Sequence, residues 1–402
     1  MTKTKSYLSA LGLVCPLGSS KQQVAKNLLA GDSSGMQPVT DWIPETTAIC
    51  GVVNAPLPPV NSEYPWQNSR NNQLLLAATE QIMPELDVAI ARYGKARIAV
   101  IIGTSTSGIY EAGLHITDLQ REGVLPQAFD YRRQELGDPA LFLSHWLGLS
   151  GPSYSISTAC TSSARALISA KRMLQAGLCD AVICGGSDSL CHLTLNGFSS
   201  LEAVSTAHCN PFSKNRQGIN IGEAAVVFLL TRELLHDDQP TPVLAGVGAS
   251  SDAYHISAPQ PEGEGAVKAM QLALADAQLV PEQISYINLH GTATQHNDSM
   301  ESAAVNQLFG AGLPCSSTKP LTGHTLGAAG ALEVAFCWLA MQDSYNPDKL
   351  LIPHVWDGVA DAELAQLNLC KAGHGFAQGA ERWLMSNSFA FGGNNTSLIL
   401  GF

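Results

Sequence analysis

The chain has 402 residues, 45% of them hydrophobic, enough for one large domain or two medium ones. A net charge of −12 argues against a nucleic-acid or anionic-membrane surface. The ten cysteines are scattered and include no CxxC pair, which excludes a small disulfide scaffold and reads as reduced thiols in a cytoplasmic protein.

In chain order, SALGLV near the N-terminus reads as a first strand, its apolar run being too short for a signal peptide. Arg97–Gly103 is an apolar run ended by glycine, hence a buried strand. Ser153–Thr158 is predicted as a short strand, Thr161–Ala176 as a helix stopped by Gly177, and Asp180–Gly185 as a further buried strand, together a βαβ unit. The polar stretch 232–243, with two prolines, is the best seam and divides the chain into halves 1–238 and 239–402. Beyond it, Ile284–Leu289 reads as a strand, Asp298–Phe309 as a helix, Cys315–Thr318 as a short strand and Leu326–Met341 as a helix. Trp383–Phe389 and Thr396–Leu400 close the chain as a strand pair. Two α/β halves with mainly parallel sheets follow. No apolar run reaches the length of a membrane span.

Four constellations carry chemistry. In Ser157-Thr-Ala-Cys160-Thr-Ser-Ser-Ala164 a cysteine sits at a strand-to-helix turn among small residues. A helix N-terminus is worth up to ~2 kcal/mol to an anion, which would bring the thiol from about 8.5 to near 7. In His290-Gly-Thr-Ala-Thr-Gln-His-Asn-Asp298 the histidine ends an apolar strand, the edge at which open α/β sheets bind ligands. A metal set of His290, His296 and Asp298 fits no familiar spacing and is rejected. Ser317-Thr-Lys319-Pro-Leu-Thr-Gly-His324 precedes a small-residue helix. Lys319 and Glu333 read either as a surface ion pair or as a buried pair orienting the histidine site. Ser388-Phe389-Ala-Phe391-Gly-Gly-Asn-Asn395 is a turn by default, or a mobile loop whose N–H groups hold an oxyanion and whose Phe391 gates a pocket. Taken singly, the cysteine and the histidines have bland readings as buried core residues.

The conjunction and order of these motifs resemble the β-ketoacyl-acyl-carrier-protein synthases of the elongating (I/II) type, in the thiolase-fold superfamily. The resemblance covers nearly the whole chain, including Asn210-Pro-Phe-Ser-Lys-Asn-Arg216, Gly222-Glu223-Ala224 and Ser251-Asp-Ala-Tyr-His255. It implies duplicated βαβαβαββ halves in a five-layer α-β-α-β-α sandwich. It also implies decarboxylative condensation of a Cys160-bound acyl group with malonyl on an acyl carrier protein. By similarity His290 and His324 stabilise the enolate, Lys319 and Glu333 support them, and Cys160 and Phe391 supply oxyanion-hole N–H groups. Thr292, Thr294 and Phe389 contact substrate. The chain itself would bind no cofactor; phosphopantetheine would arrive on the carrier. The expected partners are that carrier and a second subunit, identical or a related ketosynthase-like chain. A non-catalytic, chain-length-shaping subunit is the alternative, against which the intact Cys160, His290 and His324 speak.

Departures from the family pattern carry further expectations. Ala390 replaces a glycine, so gating should differ. Ala293 is a small change. Asn210 stands where an arginine often helps dock the carrier, leaving Arg70, Arg121, Arg132 and Arg133 as docking candidates. Thr104-Ser-Thr-Ser-Gly108 is unusually polar for an acyl pocket, which suggests a specialised synthase for a polyene or polyketide.

Overall fold

The computed structural model describes residues 5–44, 46–236, 240–377, 379 and 381–402. The expected boundary between 238 and 239 lies outside the described residues. Eleven strands form one continuous mixed sheet. In sheet order they are Asn368–Leu369, Pro314–Ser316, Ile284–Asn288, Trp383–Ala390, Asn394–Gly401, Val243–Ser251, Tyr7–Val14, Ala224–Thr231, Ala181–Asp188, Ile98–Gly103 and Ser153–Ile156. The strands of the two halves meet at the pair Tyr7–Val243.

Three strands sit inside parallel ladders. Ile98–Gly103 is parallel to both neighbours, and so are Ile284–Asn288 and Pro314–Ser316. The middle of the sheet is antiparallel, from Trp383–Ala390 across to Ala181–Asp188. The expectation of mainly parallel sheets is corrected accordingly. Trp383–Ala390 returns into Asn394–Gly401 through three residues, and so short a connection permits only an antiparallel pair.

Layering follows from the apolar faces. Ala99 and Ile101 belong to one core cluster, while Val100 and Ile102 on the same strand belong to another, the period-two alternation of a strand covered on both sides. The inner cluster joins Leu167, Ile168 and Leu174 of helix Ser162–Gln175 to Leu332, Phe336 and Leu339 of helix Ala329–Met341. All thirteen residues of the latter helix are buried, as expected of a helix apolar all round but for Glu333. Helices Arg70–Glu80 and Asp138–Leu147 cover the outer face of the first half; Glu264–Ala277 and Gln295–Phe309 cover that of the second. The two halves of the sheet, joined at Tyr7–Val243, act as two layers, and the order helix, half-sheet, helices, half-sheet, helix is the expected five-layer sandwich. Among the described residues no helix is long and apolar enough to cross a membrane.

Element limits moved where side chains at the ends turned out to serve the site. The predicted strand Cys315–Thr318 stops at Ser316, and Leu326–Ala328 is a tight 3₁₀ turn before the helix that begins at Ala329. Helix Gln295–Phe309 starts three residues earlier than predicted.

Candidate active site

Cys160 lies in the turn between strand Ser153–Ile156 and helix Ser162–Gln175. Ala159, just before it, adopts a left-handed φ of +53°, which costs a non-glycine residue about 1 kcal/mol. Local hydroxyls hold this elbow. Thr161 Oγ1 donates to Thr158 O at 2.7 Å, and Ser162 Oγ donates to Ala159 O at 2.6 Å. The Cys160 side chain is buried and faces His324, whose Nε2 is 3.0 Å from Sγ.

The protonation of both histidines follows from what their other ring nitrogens do. His324 Nδ1 accepts the Leu326 N–H at 3.2 Å, so the ring proton sits on Nε2, toward Cys160. His290 Nδ1 faces the Lys319 ammonium at 3.4 Å; ammonium has donors only, so Nδ1 accepts and Nε2 again carries the proton. Burial, followed by the nearby Lys319 charge, pushes both imidazoles well below their ordinary range, with His324 adding to the effect on His290. The rings stand edge to face with centroids 5.4 Å apart. The result is two neutral N–H donors converging beside one thiol.

A metal ion could use the spacing of this trio, whose ligand atoms lie within 4.8 Å of one another. The tautomers oppose it. A ligating imidazole nitrogen needs a free lone pair and normally donates its other N–H outward, whereas here the outward nitrogens accept. Nor do the residues of the rejected metal set converge: His296 is exposed, and Asp298 is occupied by backbone N–H groups.

The thiol does not have the lowered pKa expected from its helix position. Burial pushes Cys160 up to about 12, against the Lys319 charge and the N–H groups of Cys160 and Phe391, which favour the anion. A helix end alone cannot offset removal of a thiolate from water. Both N–H groups nevertheless favour negative charge at Sγ.

Lys319 and Glu333 form the buried alternative of the two readings. Lys319 Nζ donates to Glu333 Oε1 at 2.6 Å and also to the His290 carbonyl, with both side chains almost wholly inaccessible. Burial pushes the Glu333 carboxyl up and Lys319 holds it down.

Three further carboxylates shape the site, of which the sequence singled out only Asp298, and that one only in the rejected metal set. Glu301 accepts the N–H of His290 at 2.8 Å and of Gly291 at 2.7 Å; burial pushes it up to about 8. Asp298, up to about 6 for the same reason, accepts from Phe212 N and Ala293 N. Asp188 takes Thr104 Oγ1, Ser105 N, Thr106 N and Thr106 Oγ1 on one oxygen and Gly327 N on the other. The polarity of Thr104–Ser107 therefore serves an anchor between the end of a strand and the turn after His324, at least for its two threonines.

A cavity of about 530 Å³ leads from Cys160, His290 and His324 past Thr292 and Thr294 to Phe198, Leu201 and His255. The hydroxyls of Thr292 and Thr294 are 2.9 Å apart. Phe389 stands edge-on to His290 at 6.1 Å, and the half-buried Phe391 ring is 5.7 Å from Phe198. The loop's left-handed positions are Gly392 and Gly393, while Ala390 remains the last residue of its strand, so the lost glycine is not required for the turn itself. Ala293 does take a left-handed φ, +62°, and so is a costlier change than its size suggests.

The four docking candidates all have partners within the chain. Arg70 is committed to buried Glu223, with Nε to Oε2 at 2.8 Å. Arg133 reaches the Trp66 carbonyl, and Arg132 pairs with Asp130 and stacks on the Trp66 ring at 3.5 Å. Arg121 is exposed but paired with Asp118 and Glu122. Asn210 accepts the Asp357 N–H.

The profile of the beta-ketoacyl synthase N-terminal domain matches residues 67–236, and that of its C-terminal domain matches residues 242–352. The chain belongs to the β-ketoacyl synthase family. Its ketosynthase fold is thiolase-like. The 3-oxoacyl-[acyl-carrier-protein] synthase 2 of Rhizobium meliloti (strain 1021) is 31% identical, over 98% of this chain and 97% of the relative. That of Coxiella burnetii (strain RSA 493 / Nine Mile phase I) is 30% identical, over 100% and 99%. Among solved structures, the ketosynthase (ApeO) in complex with its chain length factor (ApeC) from Xenorhabdus doucetiae matches with TM-score 0.92 and 48% identity, over 99% of this chain and 98% of that one. The ishigamide ketosynthase/chain length factor matches with TM-score 0.88 and 26% identity, over 100% and 99%.

Proposed function

We propose that this ketosynthase condenses a Cys160-bound acyl group with malonyl carried on an acyl carrier protein, with loss of carbon dioxide. The observation that carries the reading is the pair of imidazoles with Nδ1 occupied as acceptor and Nε2–H turned inward. Forming a carbanion near neutral pH is the hard step, and two donors converging on one developing oxyanion answer it. Neutral rings suit this better than charged ones, because neither donor titrates away above its lowered pKa.

In the first half-reaction Cys160 Sγ attacks the acyl thioester carbon. The bond to the pantetheine sulfur breaks, and the thiol proton leaves with that sulfur, so the exchange needs no free thiolate in the resting enzyme. The N–H groups of Cys160 and Phe391 receive the tetrahedral oxyanion. In the second, the malonyl thioester oxygen accepts from His290 and His324 while the carbon–carboxylate bond breaks. The enolate carbon then attacks the acyl-cysteine, and Sγ departs and is reprotonated from solvent. Cysteine suits both steps because it is a good nucleophile and a good leaving group.

Phosphopantetheine reaches the site on the carrier, its arm lying along the cavity past Thr292 and Thr294. The chain works in the cytoplasm beside a second subunit. The similarity to a ketosynthase solved in complex with its chain length factor, at 48% identity, favours a related partner subunit and a polyene- or polyketide-type product over ordinary saturated chains. Mass spectrometry of carrier-bound products from a reconstituted system tests this. A β-ketoacyl carrier with stoichiometric carbon dioxide supports the reaction; saturated fatty acyl products alone would sink the specialised pathway.

A further inference from the structure

His354 lies in the irregular segment Leu350–Trp356, outside every motif that marks the site, and is buried. Its Nδ1 accepts the Ser317 N–H at 3.1 Å, and its Nε2 donates to the Pro211 carbonyl at 3.1 Å. Both ring nitrogens are therefore used, in one fixed tautomer. Its own N–H donates to Cys370 O at 2.8 Å, so the ring is set from the backbone outward.

The two segments it joins are the jaws of a clamp. On one side Ser317 Oγ donates to Gly291 O at 2.7 Å, and a Cβ placed on Gly291 would stand 2.5 Å from Ser317 Cβ. On the other, the Phe212 ring lies 3.0 Å from the same point, and Phe212 N donates to Asp298, which also takes Ala293 N. Gly291 has φ +40°, and no side chain fits between the jaws. Ser317 further accepts the Lys319 N–H, and Lys319 Nζ occupies His290 Nδ1. Moving Ser317 thus moves both the residue after His290 and the ammonium that sets its tautomer.

We propose that His354 is a positioning residue for the carbanion half-reaction: it bridges Ser317 and Pro211, the jaws that grip Gly291 and thereby fix His290. The inference rests on the condensing-enzyme reading. Burial keeps the ring neutral, with a pKa down at about 4, so both bridges persist at working pH. Cys160 and the Phe391 N–H stand on other elements, so acylation does not depend on the clamp.

The test uses the full chain with His354→Ala and His354→Gln. Glutamine can accept from Ser317 N and donate to Pro211 O; alanine can do neither. Carbon dioxide release from malonyl-loaded carrier should fall about 10- to 100-fold in the alanine variant, while Cys160 acylation, read by intact mass, stays within about twofold. Glutamine should restore most of the release. Parallel loss of both half-reactions together with the folded fraction, or no advantage of glutamine over alanine, overturns the proposal. The ¹⁵N signal of the His290 ring reads the clamp independently of activity. A single Nε2–H form in the wild type that becomes a tautomer mixture in the alanine variant supports it; an unchanged signal overturns it. If the wild type neither acylates nor decarboxylates, the condensing reading fails, and this signal still decides the positioning role.

Discussion

Alkylation of Cys160 by iodoacetamide should accelerate steadily from about pH 6.5 to 9, without a plateau. The perturbation is pH alone, and the sign follows from burial: a pKa raised from 9.0 to about 12 leaves the neutral thiol dominant throughout. Three pH units correspond to about 4 kcal/mol against the anion, twice the ~2 kcal/mol a favourable helix end supplies. The thiolate is then ~10⁻⁵ of the total at pH 7 and grows tenfold per unit, a rise of about 300-fold over the range. A thiol lowered to near 7 would instead gain only about fourfold and level off above pH 8. The assay is the pseudo-first-order rate from intact mass, with the site assigned by peptide mass because the chain has nine other cysteines, all buried. A plateau between pH 7 and 8 would refute the claim that burial outweighs the helix end.

Lys319→Met strands the buried Glu333 carboxylate and should cost about 3–5 kcal/mol of stability in urea unfolding, much of it regained by adding Glu333→Gln, with activity regained in neither. His290→Ala removes one inward donor and should slow malonyl decarboxylation about 10²- to 10³-fold while Cys160 still acylates; equal loss of both would contradict the division of labour. Gly222→Ala would set a Cβ 2.0 Å from the Thr322 carbonyl, two residues before His324, where backbone cannot yield cheaply. That variant should lose activity even where circular dichroism shows a folded chain.

The site was legible because its chemistry forces small residues and glycines around each reactive group. Cys160, His290 and His324 stand in three such runs, and the structure brings them together. The anchors were not legible. Asp188, Asp298 and Glu301 look like ordinary helix or strand-end carboxylates until burial is known, and only burial makes their backbone bonds informative. The same ignorance of burial misjudged the Cys160 thiol. His354 had no pattern at all, since its role depends on Ser317 and Pro211, distant in the chain. In the fold, apolar runs gave the parallel strands but not the direction of their neighbours. Strand Val243–Ser251 reads weakly because small residues line its contact with helix Glu264–Ala277; a Cβ on Gly248 would fall 1.9 Å from the Ala269 carbonyl.

The most direct test is intact-protein mass after mixing the chain with acyl carrier proteins loaded with several acyl groups, for wild type and Cys160→Ala. The account predicts a gain of one acyl group on the wild type, absent from the variant, with the preferred donor naming the starter class. No gain with any donor, including after co-expression with a related ketosynthase-like subunit, would contradict it and return the chain to a non-catalytic role.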